Sequence, residues 1–134
     1  MLKLKAPLLI SLLLLSAAIK ITHAQVTLVT DGIPKAIVVL PDSPNAVEKL
    51  AAEEFIYHIQ QASGATLPLL AESALSGKDS NLVFIGNCQA ARTHGIDPAA
   101  LPASAFQIKT LDSKLFLVGK DRDRGVIGRY WNAG

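Results

Sequence analysis

The sequence predicts an α+β domain, a mixed β-sheet with helices packed on it, behind a removable leader. Three observations carry this. Residues 36–40 (AIVVL) and 81–85 (NLVFI) are nearly all apolar and partly β-branched, as strands buried on both faces are. Residues 44–63 carry apolar side chains at three- and four-residue spacing, the mark of a helix with one buried face. Strand runs flank short turn signals in two places, and hairpins mixed with crossovers argue for α+β over a doubly wound sheet.

The leader comes first. Lys3 and Lys5 precede an apolar run over 8–18, and Thr22-His23-Ala24 places small residues at −3 and −1 of a cleavage point before Gln25. This is the layout of a secretory signal peptide, so residues 1–24 are expected to be removed and the rest to be periplasmic or extracellular. Ser16-Ala17-Ala18 is a second cleavage candidate. The run falls short of the roughly 20 residues of a spanning helix, and Lys20 closes it. No membrane association is expected after cleavage.

Cleavage removes three of the 13 Lys and Arg and none of the 11 acids, so the net charge falls from +2 to about −1. That balance offers no electrostatic case for nucleic acid or anionic lipid. About 110 residues remain, enough for one modest core. The lone Cys88 has no partner for an internal disulfide and reads as a small packed residue near a helix start rather than a reactive thiol.

Along the mature chain, 26–30 and 36–40 read as strands joined through Asp31-Gly32, a hairpin. Ser43 is the expected N-cap of the long helix and Pro44 its first residue. Val47, Leu50, Ala51, Phe55, Ile59 and Ala62 form the expected buried stripe, with Glu48, Lys49, Glu53, Gln60 and Gln61 on the solvated side. Gly64 ends the helix. A short strand over 67–70, a polar loop over 73–80 and the strand at 81–85 follow. Asn87 is the expected cap of a short helix over 88–94, stopped by Gly95. Residues 106–111 and 114–119 form a second hairpin around Asp112-Ser113. Asp121 opens a last helical stretch through Val126, Ile127 and Tyr130. With so little of that helix present, Val126, Ile127, Tyr130 and Trp131 are expected to form an exposed junction to other protein.

Chemistry-bearing patterns are sparse. Adjacent Glu53 and Glu54 point in different directions on a helix, and Asp121 and Asp123 suit a helix start. Neither makes the opposed carboxyl pair that glycoside hydrolysis requires. Glu54 and His58 read as a surface pair one turn apart, short of the three or four ligands of a zinc site. His94 sits in a helix's last turn, where a cation is favourable. The 119–125 turn lacks the order of a phosphate loop. Tyr57, Tyr130 and Trp131 are the aromatic candidates for sugar stacking, and they are not clustered in sequence. No catalytic residue, cofactor or metal site is predicted.

AIVVLPDSP over 36–44, AAEEFIYHIQQASGATLPL over 51–69 and LVFIG over 82–86 resemble the N-terminal accessory domain that precedes the catalytic barrel in bacterial α-glucuronidases and β-N-acetylhexosaminidases. Phe106 to Gly119 and Arg124-Gly125 also fit, so the resemblance spans 33–128. It implies a zincin-like fold, similar to hexosaminidase domain 2, without a metal centre and without catalytic residues, its chemistry lying in the barrel. The expected partner is therefore a catalytic barrel of the same or an adjacent polypeptide, with polysaccharide a further candidate. Residues 127–134 depart from the family pattern, so 25–134 is expected to be truncated at its C-terminus and not catalytic alone. The alternatives are a free-standing carbohydrate-binding module and an exported structural domain without a ligand.

Overall fold

The computed structural model describes residues 25–120. The leader, its cleavage sites and the 121–130 helical stretch with Trp131 lie outside the described residues.

Seven strands and two α-helices make an α+β fold among these residues. Strands β1 (Val29–Thr30) and β2 (Ile33–Pro34) form a small antiparallel ribbon. Its loop is Asp31-Gly32, both at positive φ (51° and 74°), the geometry that tightens a two-residue hairpin turn. Strand β3 (Ile37–Leu40) leads into helix α1 (Ala46–Ser63) and then β4 (Leu69–Ala71). After a polar loop come β5 (Leu82–Ile85), helix α2 (Gln89–Thr93), and the hairpin of β6 (Phe106–Leu111) and β7 (Lys114–Gly119).

The main sheet has the order β4-β3-β5-β7-β6. Strands β4, β3, β5 and β7 pair in parallel, and only β6 runs antiparallel, at the edge. The hairpin predicted around Asp112-Ser113 is present, with Leu111 opposite Lys114. The hairpin predicted between 26–30 and 36–40 is not. The Asp-Gly turn joins the two halves of the ribbon instead, and β3 lies between two parallel strands. The reason is local: a two-residue turn can close only immediately adjacent residues, and Thr30 and Ile33 are those residues.

Alternation divides the sheet's side chains between two cores. Val39, Leu82, Phe84, Phe116 and Val118 point to one face, where Cys88, Ala91 and Ile96 cover them. The rings of Phe84 and Phe116 stack there with centroids 5.1 Å apart. Val38, Leu40, Val83 and Ile85 point to the other face, onto Ala52, Phe55, Ile56 and Ile59 of α1. Every residue of β5 is buried, as its unbroken apolar run predicts.

Helix α1 departs from its predicted face by about one residue. Glu48 and Ala52 are its buried residues, while Ala51 and Ala62 are exposed. Small Ala52 lets the helix come close to β3 and β5. Phe55 and Ile59 keep their inward role, but both are only partly buried. The N-cap is Asn45, two residues beyond Ser43, because Asn45 and Glu48 form a reciprocal capping box. Gly64 ends the helix at φ 75°, as predicted.

Helix α2 is capped from a distance. Asn87 does not cap it, and neither does the side chain of its N-cap residue, Cys88. The carboxylate of Glu72 accepts hydrogen bonds from the amides of Gln89 and Ala90, both at 2.7 Å. An acid at this end also opposes the positive end of the helix dipole.

Candidate functional site

The parallel strands β3, β5 and β7 end on the same side of the sheet, where α/β proteins commonly place a ligand crevice. Two hollows open there. One is a polar crevice of about 230 Å³ lined by Asn45, Glu48, Asn87, Pro98, Ala99, Gly119 and Lys120. The other is a groove of about 250 Å³ with mostly apolar walls, between α1 and the β6–β7 hairpin. Glu48 stands between them and contributes to both.

Glu48 is 5% exposed, and its charge is met by amides. One carboxylate oxygen accepts from the Asn45 N–H at 2.9 Å, the other from the Asn87 N–H at 2.7 Å. The Asn45 side chain in turn accepts from the Glu48 N–H at 2.9 Å. A single carboxylate thus ties the start of α1 to the turn after β5. Gly86 makes the approach possible. Its φ is +87°, and a Cβ there would collide with the Glu48 carboxylate, lying 2.6 Å from Cγ and Cδ.

The other polar groups of the crevice are likewise engaged in structure. Lys120 donates from Nζ to the carbonyls of Ala99 (2.9 Å) and Leu101 (2.6 Å), latching the turn over Pro98–Ala100 onto the end of β7. The carbonyl and side-chain oxygens of Asn87 accept from Arg92 at 2.8 and 2.6 Å. Below the crevice Cys88 is fully buried, its Sγ near the Val39 and Ile85 carbonyls. Burial, reinforced by the negative charges of Glu72 and Glu48, pushes its thiol up to about 12. At neutral pH it is a packed thiol, in line with the sequence reading. Asp42, on the loop leaving β3, accepts from the Ser73 N–H at 2.8 Å, and that bond holds its carboxyl below the ordinary aspartate value.

The sequence-weighed candidates do not converge on this crevice. Glu53 and Glu54 lie exposed on α1, and Glu54 pairs with His58 at 3.5 Å, a surface contact. Tyr57 is 52% exposed beside His58, on the same helix. His94 caps the C-terminal end of α2 and packs its ring 5.4 Å from that of Phe116. Asp121, Asp123, Tyr130 and Trp131 lie outside the described residues. Among the described residues, no three His, Cys, Asp or Glu are grouped to hold a metal ion, and no helix is long and apolar enough to cross a membrane. Sequence reasoning assigned Glu48 to the solvated face. The signal that locates it is Asn45-x-x-Glu48, the spacing of a capping box.

No protein-family profile matches the chain, and no curated protein matches its sequence.

Proposed function

We propose that this domain is the non-catalytic N-terminal accessory domain of a secreted carbohydrate-active hydrolase, α-glucuronidase-like or hexosaminidase-like, and that it supports a catalytic barrel outside the chain. The reading rests on the sequence resemblance and on one structural observation: the residues that carry the resemblance serve the fold. Ala52 sets the helix-to-sheet distance, Gly64 closes α1, and Gly86 admits Glu48. Among the described residues, the one buried carboxylate at the strand ends, Glu48, has both oxygens committed to backbone amides. Glycoside hydrolysis requires two carboxyls on opposite sides of a bond, one of them free to move a proton. A mixed sheet flanked by helices also suits the zincin-like architecture that the resemblance implies.

Two measurements test this. The purified chain is expected to turn over neither aryl glucuronides nor aryl N-acetylglucosaminides. Turnover that disappears in Glu53→Gln or Asp121→Asn would overturn the non-catalytic assignment. A tagged chain is expected to retain, from the exported fraction of its own cells, a protein that mass spectrometry identifies as a glycoside-hydrolase barrel. Direct binding to polysaccharide with no barrel retained would favour a free-standing sugar-binding module.

A further inference from the structure

Cutting a leader from a chain creates a new α-amine, and the residue that carries the amine sets its chemistry. With Thr22 and Ala24 as the small residues at −3 and −1, the cut leaves Gln25 first. In a first-position glutamine the amine and the side-chain amide carbon are the two ends of an unstrained five-membered ring. An α-amine titrates at about 8, so a substantial share of it is neutral and nucleophilic at neutral pH. Both reactants sit in one residue, so a few bond rotations replace an encounter between molecules.

The surroundings of Gln25 favour that closure. Gln25 is exposed, so the fold does not have to open for it to react. The chain is held from the next residue onward. Val26 and Leu28 pack against the core on the α1 face. Thr27 donates its N–H to the side-chain oxygen of Asn81 at 3.2 Å. The Leu28 carbonyl accepts from the Lys35 and Ala36 N–H groups at 2.8 and 3.2 Å. A single free residue therefore precedes an anchored segment.

We propose, on the reading that the leader is cut before Gln25 and independently of any carbohydrate role, that the mature chain ends in a pyroglutamyl residue at position 25. The Gln25 α-nitrogen attacks its own Cδ. The N–Cδ bond forms, the Cδ–Nε2 bond breaks, and Nε2 leaves as ammonia with one proton from the amine. No oxidant, reductant or second substrate enters. The lactam nitrogen carries no charge, so the end lacks the ammonium group that aminopeptidases bind. Closure thus protects the one residue that the fold leaves loose. Cleavage after Ser16-Ala17-Ala18 would instead leave Ile19, which has no amide and cannot close.

The test uses the full chain from the exported fraction of its own cells, mildly acidified at harvest so that a protonated amine cannot close during handling. Mass spectrometry is expected to find an N-terminal peptide that begins at residue 25, is lighter than its sequence by one ammonia and takes no amine-reactive label. Pyroglutamyl aminopeptidase acting on the unfolded chain is expected to expose Val26. A peptide that begins at Gln25 but is mostly unclosed and labelled overturns the proposal and leaves the leader reading standing. A peptide that begins at Met1 or Ile19 overturns both. Gln25→Ala keeps the cleavage residues and cannot close. A general aminopeptidase is expected to remove residue 25 from this folded variant to completion while the wild type stays intact. Trimming of both at the same rate overturns the protective role.

Discussion

The two faces of the main sheet invert the usual relation between helix length and coverage. On one face a five-residue helix, with Ile96 and Leu75 from the loops, leaves Phe84 and Phe116 almost without solvent contact. On the other an 18-residue helix leaves Phe106 and Ile108 exposed. Length runs along the strands, but coverage runs across them. The first face is closed because apolar residues arrive from several places across the sheet. Among the described residues the second depends on one rod, which is long in the direction that does not help.

The sharpest way to break this comparison is Phe116→Ala on the closed face. It is expected to cost about 3–5 kcal/mol, since neighbours on all sides cannot collapse into the space. Urea denaturation measures it, and a loss below about 1 kcal/mol would mean that this face is not closed in solution. Next is the joint where the two hollows meet. Gly86→Ala is expected to cost on the order of 2 kcal/mol or more, from a β-carbon at positive φ and its collision with Glu48. Glu48→Ala, which leaves two amides without their acceptor, is expected to cost about as much. Because both changes undo one contact, the double variant should fall well short of the sum.

Phe55→Ala on the open face sharpens the comparison further. A fully buried side chain would put this substitution at about 3–5 kcal/mol. Half-buried at the groove, Phe55 is expected to lose only about 1–2 kcal/mol. A cost equal to that of Phe116→Ala would show the groove to be filled.

Two further effects show themselves in how stability changes with pH. The folded pKa of Cys88 is raised from 9.0 to about 12, so its contribution is intact below pH 9 and is lost as pH climbs from 9 towards 12, where the unfolded thiol ionises and the buried one does not. The wild type should therefore lose stability faster than Cys88→Ala over that interval, in denaturation curves taken at successive pH values. Parallel curves would mean that solvent reaches the thiol. The smallest effect belongs to Asp42, which lies at the surface. Its folded pKa is lowered from 3.8, so its stabilisation is present above that value and fades as pH falls through the folded one. Acid unfolding of Asp42→Asn should differ slightly from wild type near neutral pH and converge with it at low pH.

Much of the fold was legible in the residues. The unbroken apolar run of β5, the four-residue spacing of α1, Gly64 at its end and the turn at Asp112-Ser113 each rest on local rules of periodicity and backbone conformation. The candidate site was far less legible. Charge patterning marks Glu48 as surface, and only the capping-box spacing to Asn45 hints otherwise. Its second anchor, the Asn87 amide, is 39 residues away in the chain. The distant cap of α2 by Glu72 carries no local signal at all.

By itself, then, the sequence determined which segments are strands and helices, where they turn and which stretches must be buried, because those properties are set by residues within a few positions of one another. Only the tertiary structure decided which parallel strands β3 lies between, that α1 turns Glu48 inward, and that among the described residues the β6–β7 end of the sheet is left open on the face of α1. An apolar strand pairs equally well with any strand of matching character. Which one it meets depends on loop closure and on the helices packed across the sheet, and those are properties of the whole chain.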